Sequence, residues 1–366
     1  MVYWIWLTLI KGVGSKRQRS LLENIGSPKD IYDASLKQLL NCEGIGDSTA
    51  RNILEYRSLD RAEAILDKCN ILGIKILVLT DELYPKIAKS IEEMPVLLYY
   101  KGTLIENSTG VAIVGARRCT DYGKTVTDRA ASFLARENIS VISGMAKGID
   151  SYAHTSALKE GGYTIAVLGN GLDICYPPEH RELMDEIVKN GVIISQYPPG
   201  TPANPKHFPK RNLIISAWAH KILVIEASER SGSLITANYG KEYGREVFAL
   251  PDNIFNRESK GTNKLILDGS KIYLNENQLL IEDELRYKKK KIKESKKTKK
   301  YHLDEIEKNI MDVLEKAGVQ TIEELSTKLS IPQMKLLNKL SLMDLEGKLI
   351  MQGSKVSSLW YKIDLM

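Results

Sequence analysis

From residue 110 onward, short runs of branched apolar residues alternate with longer amphipathic stretches. Runs of four or five residues rich in Val and Ile are typical of strands that are buried on both faces. Strands that alternate with helical stretches predict parallel pairing, with the helices as crossovers. We therefore predict a doubly wound α/β domain with a mostly parallel sheet. The predicted core strands are 111–114, 140–143, 164–168, 192–195, 222–226 and 247–250, with 74–79 and 96–99 extending the sheet.

The residues ahead of this domain carry two similar glycine phrases, IKGVGSKR at 10–17 and CEGIGDSTAR at 42–51. Each lies between amphipathic helical runs, which predicts a small helix-hairpin-helix or SAM-like domain over residues 1–60. Such turns can present backbone amides to phosphate, or can serve only as tight turns. Both interpretations stay open. Lys16, Arg17 and Arg19 make the first hairpin the better DNA candidate, since Asp47 in the second would repel phosphate.

Positive charge is concentrated in one segment. Residues 286–300 hold ten basic residues against one acid, so this segment alone exceeds the net charge of +6 and the rest of the chain is slightly acidic. A uniformly basic nucleic-acid binder is thereby excluded. A like-charged run without apolar periodicity predicts a flexible linker over residues 286–302. It separates the α/β domain, taken as residues 61–285, from a last domain at 303–366.

The last domain shows the pattern of a winged helix. An amphipathic helix over 303–316 is followed by a second helix with a capping box, Thr321 with Glu324, and by a third with Pro332 in its first turn. Two alternating runs, 348–351 and 358–362, predict a hairpin. Winged helices commonly read DNA, but this domain is net acidic, which favours a protein-contact or regulatory role.

Cysteine spacing and hydropathy predict the cellular compartment of the protein. Its four cysteines lie far apart without a CxxC pair, which fits a reducing compartment and no zinc-finger spacing. The apolar stretch 2–10 is too short to span a bilayer and has no basic leader. We expect a cytoplasmic protein with no membrane partner.

Glycine, serine and basic residues follow five consecutive predicted strands. In an open α/β sheet ligands bind at the carboxyl ends of the strands, so these loops should converge on one edge. Ser143 and Gly144 would allow close backbone approach by a phosphate, and Arg117 and Arg118 would supply charge-assisted bonds. The same glycines could also be tight turns only. The phrases are GARR at 115–118, SGMAKGID at 143–150, GNGLD at 169–173 with Arg181 beyond it, FPKRN at 208–212 and SGSLITA at 231–237.

Established cofactor and metal motifs fail on spacing. Gly123, Lys124 and Thr125 resemble the end of a P-loop, but the preceding glycine is too far away. Asp150 and His154 lie four residues apart, yet an aspartate N-cap beside a packed histidine is the simpler interpretation. We predict no metal, no cofactor and no nucleophile–base pair, and therefore no enzymatic activity.

In this order the motifs resemble the DNA-processing protein A family, also called Smf, across roughly residues 70–280. They are VGARRxxxYG, SGMAKGIDxxAH, AVLGNGLDxxYP, FPKRN, EASxxSGSLITA and GTNKLIxxG. The resemblance implies an extended Rossmann-like domain that binds single-stranded DNA by its phosphates and forms homodimers. It also implies a role in loading the RecA recombinase during natural transformation, without catalysis.

The resemblance also assigns the site. The residues it places at the pocket or among the phosphate contacts, together with the loop residues above, are Gly115, Arg117, Arg118, Ser143, Gly144, Lys147, Gly148, Arg181, Lys206, Lys210, Arg211 and Asn212. Four positions depart from the commonest family pattern: Ala116 replaces a hydroxyl residue, Lys147 an arginine, Leu213 a second arginine and Asp252 a glycine. On paper Ala116 and Leu213 weaken the pocket, and Lys147 keeps the charge without bidentate geometry.

Two alternatives stay open beside DNA binding. A phosphoribohydrolase on a related fold needs a positioned carboxylate, commonly in a PGGxGTxxE loop, and that phrase is absent. The nearest acid, Glu226, is better interpreted as a structural residue at the end of a strand. The other alternative is an interaction scaffold in which the glycine loops are only structural.

Overall fold

The computed structural model describes residues 1–106, 108–281, 304–345 and 348–358. The chain divides into two compact units, Met1–Glu284 and Leu285–Met366. The basic linker predicted over 286–302 and the end of the predicted hairpin, beyond residue 358, lie outside the described residues. In the part that is described, no helix is both long and apolar enough to cross a membrane.

Helices form the start of the first unit, and both glycine phrases make the turns that the sequence predicts. Gly12 and Gly44 have left-handed φ angles of +83° and +74°, which favour glycine. Gly14 and Gly46 are the N-caps of the helices that follow. The helices are α1 (Val2–Leu9), α2 (Ser15–Asn24), α3 (Pro28–Asp33), α4 (Leu36–Leu40), α5 (Asp47–Glu55) and α6 (Asp60–Leu72).

A mostly parallel sheet follows, as predicted. The order of its strands is β1-β2-β6-β5-β4-β3-β7-β8-β9, parallel from β6 to β9, with β2 antiparallel to both β1 and β6. The eight predicted strands are found within about three residues of their expected ends. The strands are β1 (Lys75–Val78), β2 (Leu97–Gly102), β3 (Gly110–Val114), β4 (Ser140–Ser143), β5 (Thr164–Leu168), β6 (Val192–Ser195), β7 (Lys221–Val224), β8 (Glu246–Ala249) and β9 (Lys271–Ile272).

Helices cover both faces of this sheet. Alternate strand residues serve opposite layers: Val111 and Ile113 of β3 pack in one core cluster, Ala112 and Val114 in another. Burial on both faces explains why the strands are continuous apolar runs. The helices are α7 (Lys86–Lys89), α8 (Asp121–Arg136), α9 (Ile149–Lys159), α10 (Arg181–Asn190), α11 (His207–Trp218), α12 (Gly232–Glu242) and α13 (Lys260–Leu267).

The chain changes direction within the sheet next to β3. From β3 it proceeds through β4, β5 and β6 on one side, then returns to β7 on the other side of β3. In doubly wound sheets the carboxyl edge at such a reversal is the usual ligand position.

A buried arginine ties the N-terminal helices to the segment between β1 and β2. Arg19 of α2 is 8% exposed, and its guanidinium donates to the carbonyls of Met94 (3.2 Å) and Lys89 (2.8 Å). Lys16 forms ion pairs with Glu92 and Glu93 at 3.3 and 2.8 Å. The prediction that Arg19 contacts DNA is therefore wrong, because its side chain is buried and hydrogen-bonded within the protein.

The second unit consists of helices and a small sheet. Thr321 and Glu324 form the predicted capping box. Pro332 directly precedes Gln333 of the third helix, and its carbonyl accepts from the Leu336 amide, which closes the first turn. The second hairpin strand comes earlier than predicted, because Gly353 at φ +63° reverses the chain. The elements are α14 (Glu305–Ala317), β10 (Gln320–Thr321), α15 (Ile322–Leu329), α16 (Gln333–Leu345), β11 (Leu349–Gln352) and β12 (Lys355–Ser358).

The order of these elements matches that expected for the last domain, and winged helix stays its predicted type. The three strands pair antiparallel in the order β10-β12-β11. Buried residues from all three helices, among them Leu314, Leu325 and Leu340, form the core with Val356 of the hairpin.

Candidate nucleic-acid interface

The loops after β3 and β4 pack directly against each other. The Ile149 amide donates to the Ala116 carbonyl at 3.2 Å. Gly148 has φ +79°, and a Cβ there would stand 2.3 Å from the Ala116 carbonyl oxygen. A Cβ on Gly115 would stand 2.7 Å from the Ile149 side chain. Gly115 and Gly148, which the sequence assigned to a phosphate site, thus allow the two loops to meet.

Two buried charged side chains, Arg211 and Asp150, hold the loop after β4 in place through hydrogen bonds to its backbone. Arg211 is 5% exposed, and its Nη1 donates to the carbonyls of Gly144 and Val167, the latter at 2.6 Å. Asp150 accepts from the amides of Gly144 and Ala146 at 3.1 and 3.4 Å. Burial raises the pKa of Asp150, and Arg211 opposes this rise. Burial also lowers the pKa of Arg211, but arginine stays protonated in proteins.

Several residues that the sequence predicts as phosphate contacts instead help to hold the loop after β4 in place. Ser143 is fully buried, and its hydroxyl donates to the Ile113 carbonyl at 2.7 Å. The direct phosphate contact predicted for Ser143 is therefore wrong. A Cβ on Gly144 would stand 2.3 Å from an Arg211 nitrogen, so this glycine makes room for the arginine. Asn212 accepts from Arg211 Nε at 3.0 Å, so it orients the guanidinium.

Asp150 and His154 do not form an acid–base pair or a metal site. The N-cap of α9 is Gly148, so the predicted aspartate N-cap is wrong: the Asp150 carboxylate turns back to the loop amides. His154 is packed as predicted, with Nδ1 2.7 Å from Thr164 Oγ1, and burial lowers its pKa to about 3. Within the described ranges, no cluster of three or more His, Cys, Asp or Glu side chains could hold a metal.

Above the buried charges lies a small pocket of about 60 Å³. The exposed Arg117 guanidinium lies 5.7 Å from the centre of the Phe208 ring, a cation–π distance. Tyr176 packs against the same ring at 5.7 Å between ring centres. Arg211 forms part of the pocket wall. The lining residues are Arg117, Gly144, Ala146, Lys147, Tyr176, Pro177, Phe208 and Arg211.

The second exposed cation of this pocket is already paired with a carboxylate. Lys147 forms an ion pair with Glu179, which lies in the 3-10 turn Pro178–His180. The His180 Nδ1, 3.0 Å from the Met145 carbonyl, ties this turn to the loop of Lys147. The sequence analysis did not single out Glu179. Its signal was an acid in the segment beside Tyr176 and Pro177.

The other predicted cations do not all meet at the pocket. Arg118, Arg181 and Lys206 are exposed but do not line it. Lys210 lines a different groove, shared with the first glycine hairpin. The structure thus brings together Arg117 and Lys147, with Arg211 behind them, and does not place the remaining predicted cations in the pocket.

The departures from the family pattern lie mostly below the surface. Ala116 is 5% exposed and Leu213 is 9% exposed, so neither replacement removes a fully exposed contact. Asp252 folds its own loop, since its carboxylate accepts from the Asn253 amide and the Asn256 side chain. The weakening expected from Ala116 and Leu213 stays a prediction.

Glu226 is a structural carboxylate at the end of its strand, as interpreted from the sequence. It is 1% exposed and accepts from the Thr120 amide at 3.0 Å and from the Thr120 hydroxyl. A Cβ on Gly123 would stand 2.6 Å from this carboxylate, so the first turn of α8 closes over it.

Fold and site together define a doubly wound α/β protein with a small cationic and aromatic pocket at the carboxyl edge of its sheet. The family model of DNA recombination-mediator protein A matches residues 75–284. A tandem SAM-like helix-hairpin-helix model matches residues 7–56. The chain belongs to the DNA recombination-mediator protein A family, which confirms the resemblance seen in its motifs.

Relatives support this assignment. Protein Smf of Synechocystis is 36% identical over 283 residues, covering 76% of this chain and 71% of that protein. The crystal structure of DNA processing protein A from Streptococcus pneumoniae aligns with a TM-score of 0.65 at 33% identity, covering 76% of this chain and 96% of that one. The Helicobacter pylori protein, described for its single-stranded DNA binding mode, aligns at 0.51 and 29%, covering 56% and 93%.

Proposed function

We propose that this protein binds single-stranded DNA by its phosphates at the strand-end pocket and acts as a recombination mediator. From the family resemblance we further propose that it works as a homodimer in the cytoplasm and helps to load RecA during natural transformation. The domain limits 1–60, 61–285, 286–302 and 303–366 belong to this proposal.

One observation carries the proposal: Arg117 stands exposed at the pocket, held over the Phe208 ring. A guanidinium at this place can form paired, charge-assisted bonds to a phosphate. The volume of about 60 Å³ fits one small anionic group and not a buried nucleotide, since ligand pockets usually enclose about 300–1,000 Å³. A backbone phosphate with its base outside meets this limit.

The aromatic side chains favour a single strand over a duplex. Tyr176 is 42% exposed and packs against Phe208 at the edge of the pocket. Unpaired bases can stack on such rings without regard to sequence, while bases in a duplex cannot. The relative from Helicobacter pylori, described for single-stranded DNA binding, lends independent support.

The same dimensions argue against a phosphoribohydrolase. That reaction requires a carboxylate over an enclosed sugar, and Glu226 is buried and bonded to Thr120. We propose that the protein turns over neither nucleotides nor DNA. Released ribose phosphate above background, abolished by Glu226→Gln, would contradict this.

Titration with labelled single- and double-stranded oligonucleotides over a salt series tests the proposal. We expect single strands to be preferred, with a salt slope of about −0.7 per phosphate neutralised. Arg117→Ala should weaken binding about tenfold, within the energy of a charge-assisted pair. Arg136→Ala, the same charge change near the other end of α8, is the matched control. Equal effects of both variants, or salt-independent binding, would contradict the proposal.

A further inference from the structure

A groove separates the first glycine hairpin from the sheet. It encloses about 640 Å³, within the range of roughly 300–1,000 Å³ common for ligand sites. Gly14, Ser15 and Arg17 line it from the hairpin, and Tyr197 and Lys210 line it from the opposite side. Unlike the pocket at Arg117, it has room for a nucleotide unit.

Contacts close to the groove join the helices at the start of the chain to the rest of the first unit. Arg19, directly beyond the hairpin, donates to the Met94 carbonyl at 3.2 Å. Lys68 of α6 pairs with Asp173 at 2.9 Å, and Asp173 also accepts from the Gly200 amide at 2.8 Å. A preformed groove does not have to order its walls when a ligand enters, which favours binding.

The charges of the groove favour an anion. Among the described residues that line it, Glu93 is the one acid, and Lys16 pairs with it at 2.8 Å. Arg17 donates to the Gly12 carbonyl at 2.6 Å, a neutral partner that leaves its charge uncompensated. Lys210 is exposed. The groove therefore carries a net positive charge from Arg17 and Lys210.

Helix α11 contributes residues to both the groove and the pocket. Phe208 and Arg211 of this helix line the pocket, while Lys210 lines the groove. Tyr197 of the groove stacks on His207, the first residue of the same helix, at 4.0 Å between ring centres. A strand held at Arg117 would therefore pass around α11 to reach Lys210 and the hairpin.

We propose that this groove is a second subsite for the same single strand, with Arg17 and Lys210 binding phosphates and Tyr197 offering a face to a base. The inference rests on the proposed DNA binding at the pocket. It also distinguishes the two hairpins: the second has Asp47 in the position of Ser15, with Arg51 paired to it at 2.7 Å.

This difference supplies matched variants. Ser15→Asp places a carboxylate in the groove, and Ser48→Asp adds the same charge in the first turn of α5, outside the groove. Acidic residues are favoured in the first turn of a helix, so both variants should fold. Thermal unfolding of both checks this. Lys210→Ala tests the opposite wall.

Fluorescence anisotropy with labelled oligonucleotides of about four and about sixteen nucleotides, spanning the usual site sizes, measures the effect. For the long strand we expect Ser15→Asp and Lys210→Ala to weaken binding about threefold or more, and Ser48→Asp to leave it unchanged. The short strand, held at the pocket, should bind all variants alike.

Equal weakening by Ser15→Asp and Ser48→Asp would refute the groove as a DNA-binding site, because it would indicate only general electrostatic repulsion between the added carboxylates and DNA. Equal effects of Lys210→Ala on both lengths would also overturn it, because Lys210 would then belong to the pocket. If the wild-type protein binds neither length, the proposed function fails with it. Binding of the wild type without the length-dependent difference refutes the groove alone.

Discussion

Lys147 and Glu179 form an ion pair at the pocket that Arg117 and Phe208 also line. The two side chains are 59% and 49% exposed. The hydrogen bond from Lys147 lowers the pKa of Glu179, so the carboxylate is charged at neutral pH. A phosphate that approaches Lys147 therefore competes with a carboxylate that is already bound to it.

The first prediction is that Glu179→Gln increases affinity for single-stranded DNA. Removing the competing charge frees Lys147, and an exposed pair of this kind corresponds to about a threefold change. Glu182→Gln removes an exposed acid two residues beyond the turn, in α10, and is the matched control. Anisotropy titrations at low salt measure both variants.

A double-mutant cycle isolates the pair. Lys147→Ala should cost little in the wild type, where Glu179 occupies the lysine, and more in the Glu179→Gln background. If Glu179→Gln and Glu182→Gln raise affinity equally, the gain comes from net charge, and the competition is refuted.

The second prediction separates Arg211 from Arg117. Arg211→Ala leaves Asp150 buried without its counter-charge and two carbonyls without their donor, so we expect a loss of about 3 kcal/mol or more in the free energy of unfolding. Arg117→Ala removes an exposed side chain and should change stability by less than about 0.5 kcal/mol while weakening DNA binding. Urea denaturation measures stability.

Arg211→Lys keeps the charge but loses the fixed fork of donors, so it should recover only part of the stability. Should Arg211→Ala unfold at the wild-type urea concentration, the support that we assign to this residue is absent. Arg211 would then act mainly at the surface of the pocket.

The third prediction concerns pH and His154. Its Nδ1 lies 2.7 Å from Thr164 Oγ1, whose own proton goes to the Val141 carbonyl, so Nδ1 carries the hydrogen. Burial lowers the pKa of His154 to about 3, below its usual value of 6.5. Below pH 6.5 this histidine binds a proton in the unfolded chain but not in the folded protein, so the free energy of unfolding falls as pH falls.

The expected loss from this group is about 2 kcal/mol between pH 6.5 and pH 5, at about 1.4 kcal/mol per pH unit. His154→Phe removes the titration and should flatten this part of the stability curve. Urea denaturation of both proteins from pH 7 to pH 5 measures the difference. Parallel curves would show that His154 takes up its proton in the folded state.

The fold could be predicted from the sequence because its signal is local. Each core strand is a short apolar run, and burial on both faces of a parallel sheet requires such runs. Strand β9 has only two residues, Lys271 and Ile272, and carries no such signal. The antiparallel pairing of β2 depends on which strand is adjacent in space, which local patterning does not encode.

The site was predicted less completely, because a motif gives the position of a residue along the chain but not how deeply its side chain is buried. Ser143 and Arg117 belong to neighbouring glycine phrases, yet one is fully buried and the other is exposed. Arg19 looked like a free cation beside Lys16 and Arg17, but it docks the helices on carbonyls some seventy residues away. Such partners become visible only in three dimensions.

In the second unit, two lysines form ion pairs with carboxylates of the same unit. Lys339 of α16 pairs with Asp304 and with Glu307, the latter at 3.0 Å, and Lys348 pairs with Glu307 at 3.1 Å. Burial pushes the pKa of Glu307 up, but these bonds lower it overall, so the carboxylate stays charged. Two lysines in the described part of this unit are therefore neutralised by carboxylates of the same unit.

The last prediction is that residues 303–366 do not bind duplex DNA. They hold eight basic and ten acidic residues, so repulsion from a polyanion is expected. A truncation that ends at Tyr301 keeps the basic linker and should bind single-stranded DNA within about threefold of the full chain, because the pocket cations are intact. Isolated 303–366 should show no binding to a duplex at about 0.15 M salt, where long-range attraction is screened. Measurable duplex binding by that fragment, weakened by Lys335→Ala on the exposed part of α16, would instead make this domain a DNA reader.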